Sequence, residues 1–161
     1  MLLFLKNLAF TIIVPGTVGF YVPIWIAAGW SGFPNASPGW ERFSGLLTIL
    51  LGLAVYLWCV WDFAMIGRGT PAPIDEPRKL IVRGLYRYVR NPMYIGVLLV
   101  IIGWATYFRS LGVVSYALCV GLVFHLFVVV YEEPHLRRRF GESYTHYCRT
   151  VHRWIPGRER L

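Results

Sequence analysis

The stretch from Met93 to Tyr131 decides the fold, and it reads MYIGVLLVIIGWATYFRSLGVVSYALCVGLVFHLFVVVY. It contains two apolar runs that are separated only by Arg109 and Ser110. Runs of this length approach the roughly 20 residues that a helix needs to cross about 30 Å of hydrocarbon. Because a lone strand cannot satisfy its backbone groups in lipid, both runs are predicted to be helices, and they are joined in a tight hairpin.

Two further apolar stretches precede the hairpin, over residues 2–28 and 43–66. Together with the hairpin helices at 93–108 and 111–131, they predict about four transmembrane helices. The chain has 161 residues, of which 57% are hydrophobic and 15% charged, whereas a soluble domain carries about a quarter charged residues. Its three cysteines are odd in number and widely spaced, so they predict neither a disulfide framework nor a metal site. We therefore expect a single all-α, polytopic membrane domain.

The positive charges predict the orientation. In a four-span protein Lys6, the polar loop 67–91 and the basic tail 134–161 lie on one side of the membrane. Of the 16 Lys and Arg residues, only Arg42 and Arg109 fall on the other side. The positive-inside rule then places both termini and the loop in the cytoplasm. The net charge of +8 thus reflects topology and contact with anionic lipid, and nucleic-acid binding is not expected.

The basic tail also has a helical pattern. Leu136, Phe140, Tyr144 and Cys148 recur every four residues. This spacing predicts a C-terminal amphipathic helix that lies in the membrane interface, although Gly141 weakens the pattern. A role as a membrane-surface anchor is favoured over a direct role in catalysis.

A first polar cluster precedes the third apolar stretch. Asn91 followed by Pro92 is typical of an N-cap and the first position of a helix. A helix N-terminus offers free N–H groups and a partial positive charge, which suit a carboxylate or a phosphate. Arg87 and Arg90 add positive charge beside it. A capped membrane helix whose arginines reach toward the interface would explain the same residues without a ligand.

A second polar cluster follows the fourth apolar stretch. Glu132 and Glu133 place two carboxylates at a helix C-terminus, where the helix dipole opposes negative charge. They could form a solvated pair with Arg137, or they could bind the ammonium or sulfonium group of a ligand. The hairpin brings this acidic cluster close to the basic one at Asn91. A zwitterionic amino-acid ligand needs such a pair of charges.

Asp62 and His125 are ionisable residues that lie inside the second and fourth predicted spans. Asp62 is near the inner end of the second span, and an intramembrane acid is a candidate functional residue by default. His125 lies within the fourth span, where a hydrogen bond across helices is favoured over a substrate role. The roles of both remain open at this point.

Two motifs resemble those of the isoprenylcysteine carboxyl methyltransferase family and its phospholipid N-methyltransferase relatives, over roughly residues 70–156. The first reads Gly84-x-Tyr86-x-x-x-Arg90-Asn91-Pro92-x-Tyr94-x-Gly96. It is similar to the family's Arg-His-Pro-x-Tyr-x-Gly block with an upstream Gly-x-Tyr. The second reads Glu132-Glu133-x-x-Leu136-x-x-x-Phe140-Gly141-x-x-Tyr144-x-x-Tyr147, and it is similar to the family's Glu-Glu block and the Phe-Gly-x-x-Tyr-x-x-Tyr that follows it.

The resemblance implies S-adenosylmethionine as methyl donor, bound in a cytosol-facing pocket between the two motifs, and a lipid substrate that arrives from the bilayer. It implies catalytic roles for Arg90 and Glu133, and substrate contacts for Arg87 and Arg137. The residues expected to bind the cofactor are Tyr86, Arg90, Asn91, Pro92, Tyr94, Gly96, Glu132 and Glu133.

The sequence departs from the family pattern at two places. Asn91 stands where many members have His, although an amide can still hydrogen-bond. Residues 128–131 are apolar, whereas prenylcysteine-specific members carry charged residues just before the Glu pair. The methyl acceptor therefore stays open. Two other hypotheses are a membrane reductase of the steroid-reductase type, with a nicotinamide cofactor, and a membrane scaffold without enzymatic activity.

Overall fold

The computed structural model describes residues 13–29, 39–67 and 80–157. Outside these ranges lie Lys6, the loop at 68–79 and the last four residues, which contribute to the predicted positive charge of the cytoplasmic side. The described residues are predominantly helical, as the length of the apolar runs predicted. Their helices are α1 (Ile13–Gly29), α2 (Trp40–Asp62), α3 (Pro92–Phe108), α4 (Leu111–Phe127), α5 (Glu133–Phe140) and α6 (Glu142–Thr150).

Three helices contain or continue into wider turns. A π-helical turn lies within α1 at Thr17–Tyr21, and α2 continues through another at Phe63–Gly67. A third, Val128–Glu132, joins α4 to α5 without a break in the helical path. A continuous helix therefore runs from the hairpin to the acidic pair and beyond it.

Two helices, Trp40–Met65 and Leu111–Phe140, are long and apolar enough to cross a membrane, whereas Ile13–Gly29 and Pro92–Phe108 are apolar but shorter. Many of their large side chains point away from the protein, including Leu118, which is 72% exposed. Contiguous apolar surface of this kind is unfavourable in water and suits contact with lipid. The four-span topology itself stays a prediction.

The predicted hairpin between α3 and α4 is present. Arg109 adopts a left-handed conformation (φ 52°, ψ 37°) that ends α3, and the Ser110 hydroxyl then caps α4 by accepting from the Val113 N–H at 3.3 Å. Arg109 forms an ion pair with Glu41 at 3.4 Å, so the end of α3 lies beside the beginning of α2. Helices α2 and α3 are therefore antiparallel.

A seam of glycines brings α2 and α3 unusually close. A Cβ atom added at Gly52 would lie 2.6 Å from the carbonyl oxygen of Gly96, and one at Gly45 would lie 2.8 Å from that of Gly103. Small residues at such positions let helix backbones approach each other, which is a common packing mode in membranes. This close packing fixes the position of the α3 N-terminus, where the first polar cluster lies.

The C-terminal part of the chain folds back onto the bundle. Gly141, with φ +56°, separates α5 from α6, so the predicted single amphipathic helix is two short helices. The inner face of α6 packs against protein, since Tyr144, Tyr147 and Val151 are buried together. The Tyr147 hydroxyl donates to the Tyr86 carbonyl oxygen at 2.6 Å. An interfacial position for the outer face of these helices stays a prediction.

Candidate functional site

The α3 N-terminus is the centre of the candidate site. Asn91 directly precedes Pro92, the first residue of α3, as the sequence predicted, but its side chain makes no capping hydrogen bond. The Asn91 amide instead donates to the carbonyl oxygen of Arg153 at 3.2 Å. The N–H group of Arg90 likewise donates to the carbonyl oxygen of His152 at 2.9 Å. The start of α3 is thus tied to a segment 62 positions later in the chain.

We call this segment, residues 151–157, the C-terminal strap. The Gly157 N–H donates to the carbonyl oxygen of Tyr88 at 2.9 Å. The Trp154 indole N–H donates to Nδ1 of His125 at 3.1 Å, which links the strap to α4. His125 therefore hydrogen-bonds to a segment that is not helical, whereas its position favoured a bond to another helix. The strap runs from the loop that precedes α3 to α4, beside Glu132 and Glu133.

The strap also supplies one of two guanidinium groups that bind Glu133. Arg153 donates to both carboxylate oxygens of Glu133, from Nε at 2.7 Å and from Nη2 at 3.0 Å. Arg90 Nη1 lies 3.0 Å from the Oε1 atom that Arg153 Nε contacts, and only 11% of the Arg90 side chain is exposed. Arg90 Nη1 also donates to the thiol sulfur of Cys148 at 2.8 Å. One buried carboxylate therefore bridges two arginines.

These contacts shift the pKa values of Glu133 and Arg153. Burial alone would raise the pKa of Glu133, but the hydrogen bonds from Arg153 and the charges of Arg90, Arg153 and Arg137 lower it below its ordinary value. The hydrogen bond to Glu133 raises the pKa of Arg153. At Glu133 two guanidinium groups share one carboxylate, so the Arg90 side of the cluster carries positive charge beside the α3 N-terminus, while Glu132 lies on the Tyr94 side.

Glu132 has a different environment from Glu133. Its Oε2 atom accepts a hydrogen bond from the Tyr94 hydroxyl at 2.8 Å. The Tyr94 ring packs against Phe124, with 4.7 Å between centroids, and against the strap residue Trp154 at 6.4 Å. Glu132 and Tyr94 thus place a carboxylate next to a cluster of aromatic rings at the end of the apolar bundle.

The structure brings together four of the predicted residues, Arg90, Tyr94, Glu132 and Glu133, and it places Asn91 at their edge. Other predicted residues lie differently. The ring of Tyr86 is buried against Phe63, and Gly96 faces Gly52 of α2. Pro92 is fully buried, and Arg87 and Arg137 are exposed.

Asp62 lies outside this cluster. It is 7% exposed, and its Oδ2 atom has no hydrogen-bond partner among the described residues. This oxygen faces Gly84, whose φ of +57° and whose lack of a side chain let the backbone approach it. Asp62 therefore packs against the loop that leads to Arg90. Among the described residues, no group of three His, Cys, Asp or Glu side chains is placed to bind a metal ion.

Sequence reasoning missed the strap. In the sequence Arg153 is one of the tail's positive charges, and the pattern predicts no contact of Trp154 or Cys148 with the motifs. Arg153 is 20 positions from Glu133, and Trp154 is 29 positions from His125. The one available signal was an aromatic residue beside an arginine just after the predicted tail helix.

The fold and this cluster define a helical membrane protein with a polar site at one end of its bundle. The sequence profile of the phospholipid methyltransferase family matches residues 40–143, from the start of α2 into α6. The chain belongs to that family.

Individual relatives agree with this assignment. The chain is 29% identical over 130 residues to proteins named probable protein-S-isoprenylcysteine O-methyltransferase from the indica and japonica subspecies of Oryza sativa. The matches cover 77% of this chain and 66% of each rice protein, so the chain spans just under two thirds of their length. An uncharacterized protein of Haemophilus influenzae is 31% identical over 67 residues, which are 39% of this chain and all of that protein.

Proposed function

We propose that this chain transfers a methyl group from S-adenosylmethionine to a lipid or another hydrophobic substrate at the cytosolic face of the membrane. The observation that carries the proposal is the group of two carboxylates and two arginines at the point where α3 begins and the helix from α4 reaches α5. Charged side chains are costly to place among apolar helices, so a group of them is a candidate functional site. The family and the names of the rice relatives support methyl transfer.

The residues present fit the methyl donor, which carries a carboxylate, an ammonium and a sulfonium group. Glu133 already bridges two guanidinium groups. The geometry therefore favours Glu132 for the ammonium group, with Glu133 holding Arg90 in place. Arg90 and the α3 N-terminus, with their positive potential, suit the carboxylate. The aromatic faces of Tyr94 and Trp154 suit the sulfonium group.

The donor supplies an electrophilic methyl group, and the protein's residues contribute position and exclusion of water. Methyl transfer is an in-line displacement at carbon, so the acceptor atom must be aligned behind the methyl group. An acceptor carboxylate or thiolate needs no general base, and an amine needs only to be neutral. The apolar walls around Tyr94, including Phe124, would desolvate both reactants.

The bilayer is the proposed source of the acceptor. The turn just before the acidic pair is apolar and largely exposed, with Val130 at 72% and Tyr131 at 50%. A hydrophobic substrate could therefore reach Glu132 without leaving the lipid. Arg87 and Arg137, both exposed, are placed to orient an anionic group on such a substrate. A phospholipid and an isoprenylcysteine protein are the acceptors that the family and rice names suggest.

Calorimetry in detergent tests donor binding with S-adenosylhomocysteine, the product of methyl transfer. The Glu132→Gln variant should lose about 1.5–3 kcal/mol of binding free energy, the usual size of a lost charged hydrogen bond. Glu142→Gln is the matched control, because Glu142 is exposed on α6, and its affinity should stay at the wild-type value. Unchanged affinity in Glu132→Gln would remove Glu132 from the site. Binding of a nicotinamide dinucleotide instead would favour a reductase.

A further inference from the structure

The shared carboxylate of Glu133 raises the question of what Arg153 contributes. Arg153 contacts both oxygens of Glu133, and Arg90 contacts only Oε1. Without Arg153, Glu133 could turn both oxygens toward Arg90 in the two-pronged geometry that carboxylates and guanidinium groups prefer. That pairing would neutralise Arg90. With Arg153 present, the two guanidinium groups share the Glu133 carboxylate, and Glu132 is bonded to Tyr94 instead.

We propose that Arg153 is a positioning residue that keeps the Arg90 side of the site positively charged and so selects a ligand that carries a carboxylate. This inference rests on the proposed function and adds to it a residue outside both family-like motifs. Arg153 acts through Glu133 and Arg90, and it is the more exposed of the two arginines, at 31% against 11% for the side chains. The charge it supplies lies next to the α3 N-terminus, whose own potential has the same sign.

The strap has attachments that do not depend on the Arg153 side chain. Its backbone accepts from the Arg90 N–H and from the Asn91 amide, its Gly157 N–H donates to Tyr88, and Trp154 binds His125. Replacement of the guanidinium should therefore leave the strap in place. A purely structural role for Arg153 and a charge-setting role can then be separated by experiment.

The experiment compares two ligands that differ in the amino-acid part. S-adenosylhomocysteine carries the carboxylate and the ammonium group, and 5′-methylthioadenosine carries neither. Their affinities are measured by calorimetry for the full-length wild type, Arg153→Gln and Arg153→Lys in detergent. Arg149→Gln is the matched control, because it removes an exposed positive charge of α6 outside the cluster. Circular dichroism verifies that each variant keeps its helices.

We expect Arg153→Gln to lower the affinity ratio of S-adenosylhomocysteine to 5′-methylthioadenosine by about tenfold, which corresponds to 1.4 kcal/mol. Arg153→Lys keeps the charge and should keep most of the ratio, and Arg149→Gln should leave it unchanged. An equal loss for both ligands, or a Lys variant as weak as the Gln variant, would overturn the charge-setting role while the proposed function stands. If Arg153→Gln does not fold, a lowered ratio in Arg153→Lys overturns it as well. If wild type binds neither ligand, the proposed function itself is wrong.

Discussion

The ion cluster around Glu133 makes a specific prediction for protein stability. Glu133→Gln keeps the shape of the side chain but removes the anion that lies between Arg90 and Arg153. The two guanidinium groups would then face each other without the carboxylate that bridges them. Arg153→Gln, in contrast, leaves Glu133 paired with Arg90. The double variant removes one charge of each sign.

The expected magnitudes follow from burial. Removal of one partner from a buried ion pair costs about 3–5 kcal/mol. Arg153 is 31% exposed, so water screens part of its contribution. We therefore expect a loss of about 3 kcal/mol in the free energy of unfolding for Glu133→Gln, and about 1 kcal/mol for Arg153→Gln. In the double variant, removal of Arg153 relieves its repulsion with Arg90, so the double variant should be at least as stable as Glu133→Gln alone.

Reversible unfolding in mixed detergent, followed by circular dichroism, gives the four free energies of the cycle. The predicted coupling between Glu133 and Arg153 is about 1–2 kcal/mol, within the range found for residues in direct contact. The pair Glu142→Gln and Arg149→Gln, both exposed on α6, is the control and should change stability by less than about 0.5 kcal/mol. If the two single losses simply add in the Glu133/Arg153 double variant, the two side chains do not share the cluster described above.

Three further predictions follow from other parts of the molecule. Arg90→Lys keeps the charge but loses the planar donor geometry, so its binding free energy for S-adenosylhomocysteine should weaken by about 1–3 kcal/mol. Wild-type affinity and turnover in this variant would mean that Arg90 has only a structural role. Gly52→Ala should destabilise the protein by about 1–3 kcal/mol, because its Cβ would lie 2.6 Å from the Gly96 carbonyl oxygen. At Gly121 the nearest neighbour of an added Cβ lies 3.8 Å away, so Gly121→Ala should be tolerated in the same unfolding assay. In a cysteine-free background, a cysteine placed at Ser37 should react with impermeant reagents from outside the cell and one at Thr70 only from inside; the opposite result would reverse the predicted topology.

The hairpin was predictable because its determinants are local. Two apolar runs joined by only Arg109 and Ser110 leave little freedom for the chain, and the structure ends α3 at the first of these residues and caps α4 with the second. The approach of the two motifs followed from this hairpin. The start of α3 at Pro92 was equally local, since Asn-Pro favours a helix start.

The contacts of the strap could not be predicted, because they join distant parts of the chain. The Asn91 side chain was expected to cap α3, and it binds the Arg153 backbone instead. The four-residue repeat of the tail predicted one interfacial helix, and it could not show that the same face would be buried against residues near Leu80. A pattern of apolar residues identifies a buried face without identifying what covers it.

The central claim is methyl transfer to a molecule of the bilayer, and mass spectrometry of lipids tests it most directly. The purified full-length protein is placed in vesicles of cell-derived lipid and given S-adenosylmethionine with an isotope-labelled methyl group. The claim predicts that a lipid or lipid-linked species gains the labelled methyl group, and that Glu132→Gln reduces this transfer while Glu142→Gln does not. Binding of the donor without any labelled product would contradict transfer to a lipid, and the absence of both binding and product would contradict the claim as a whole.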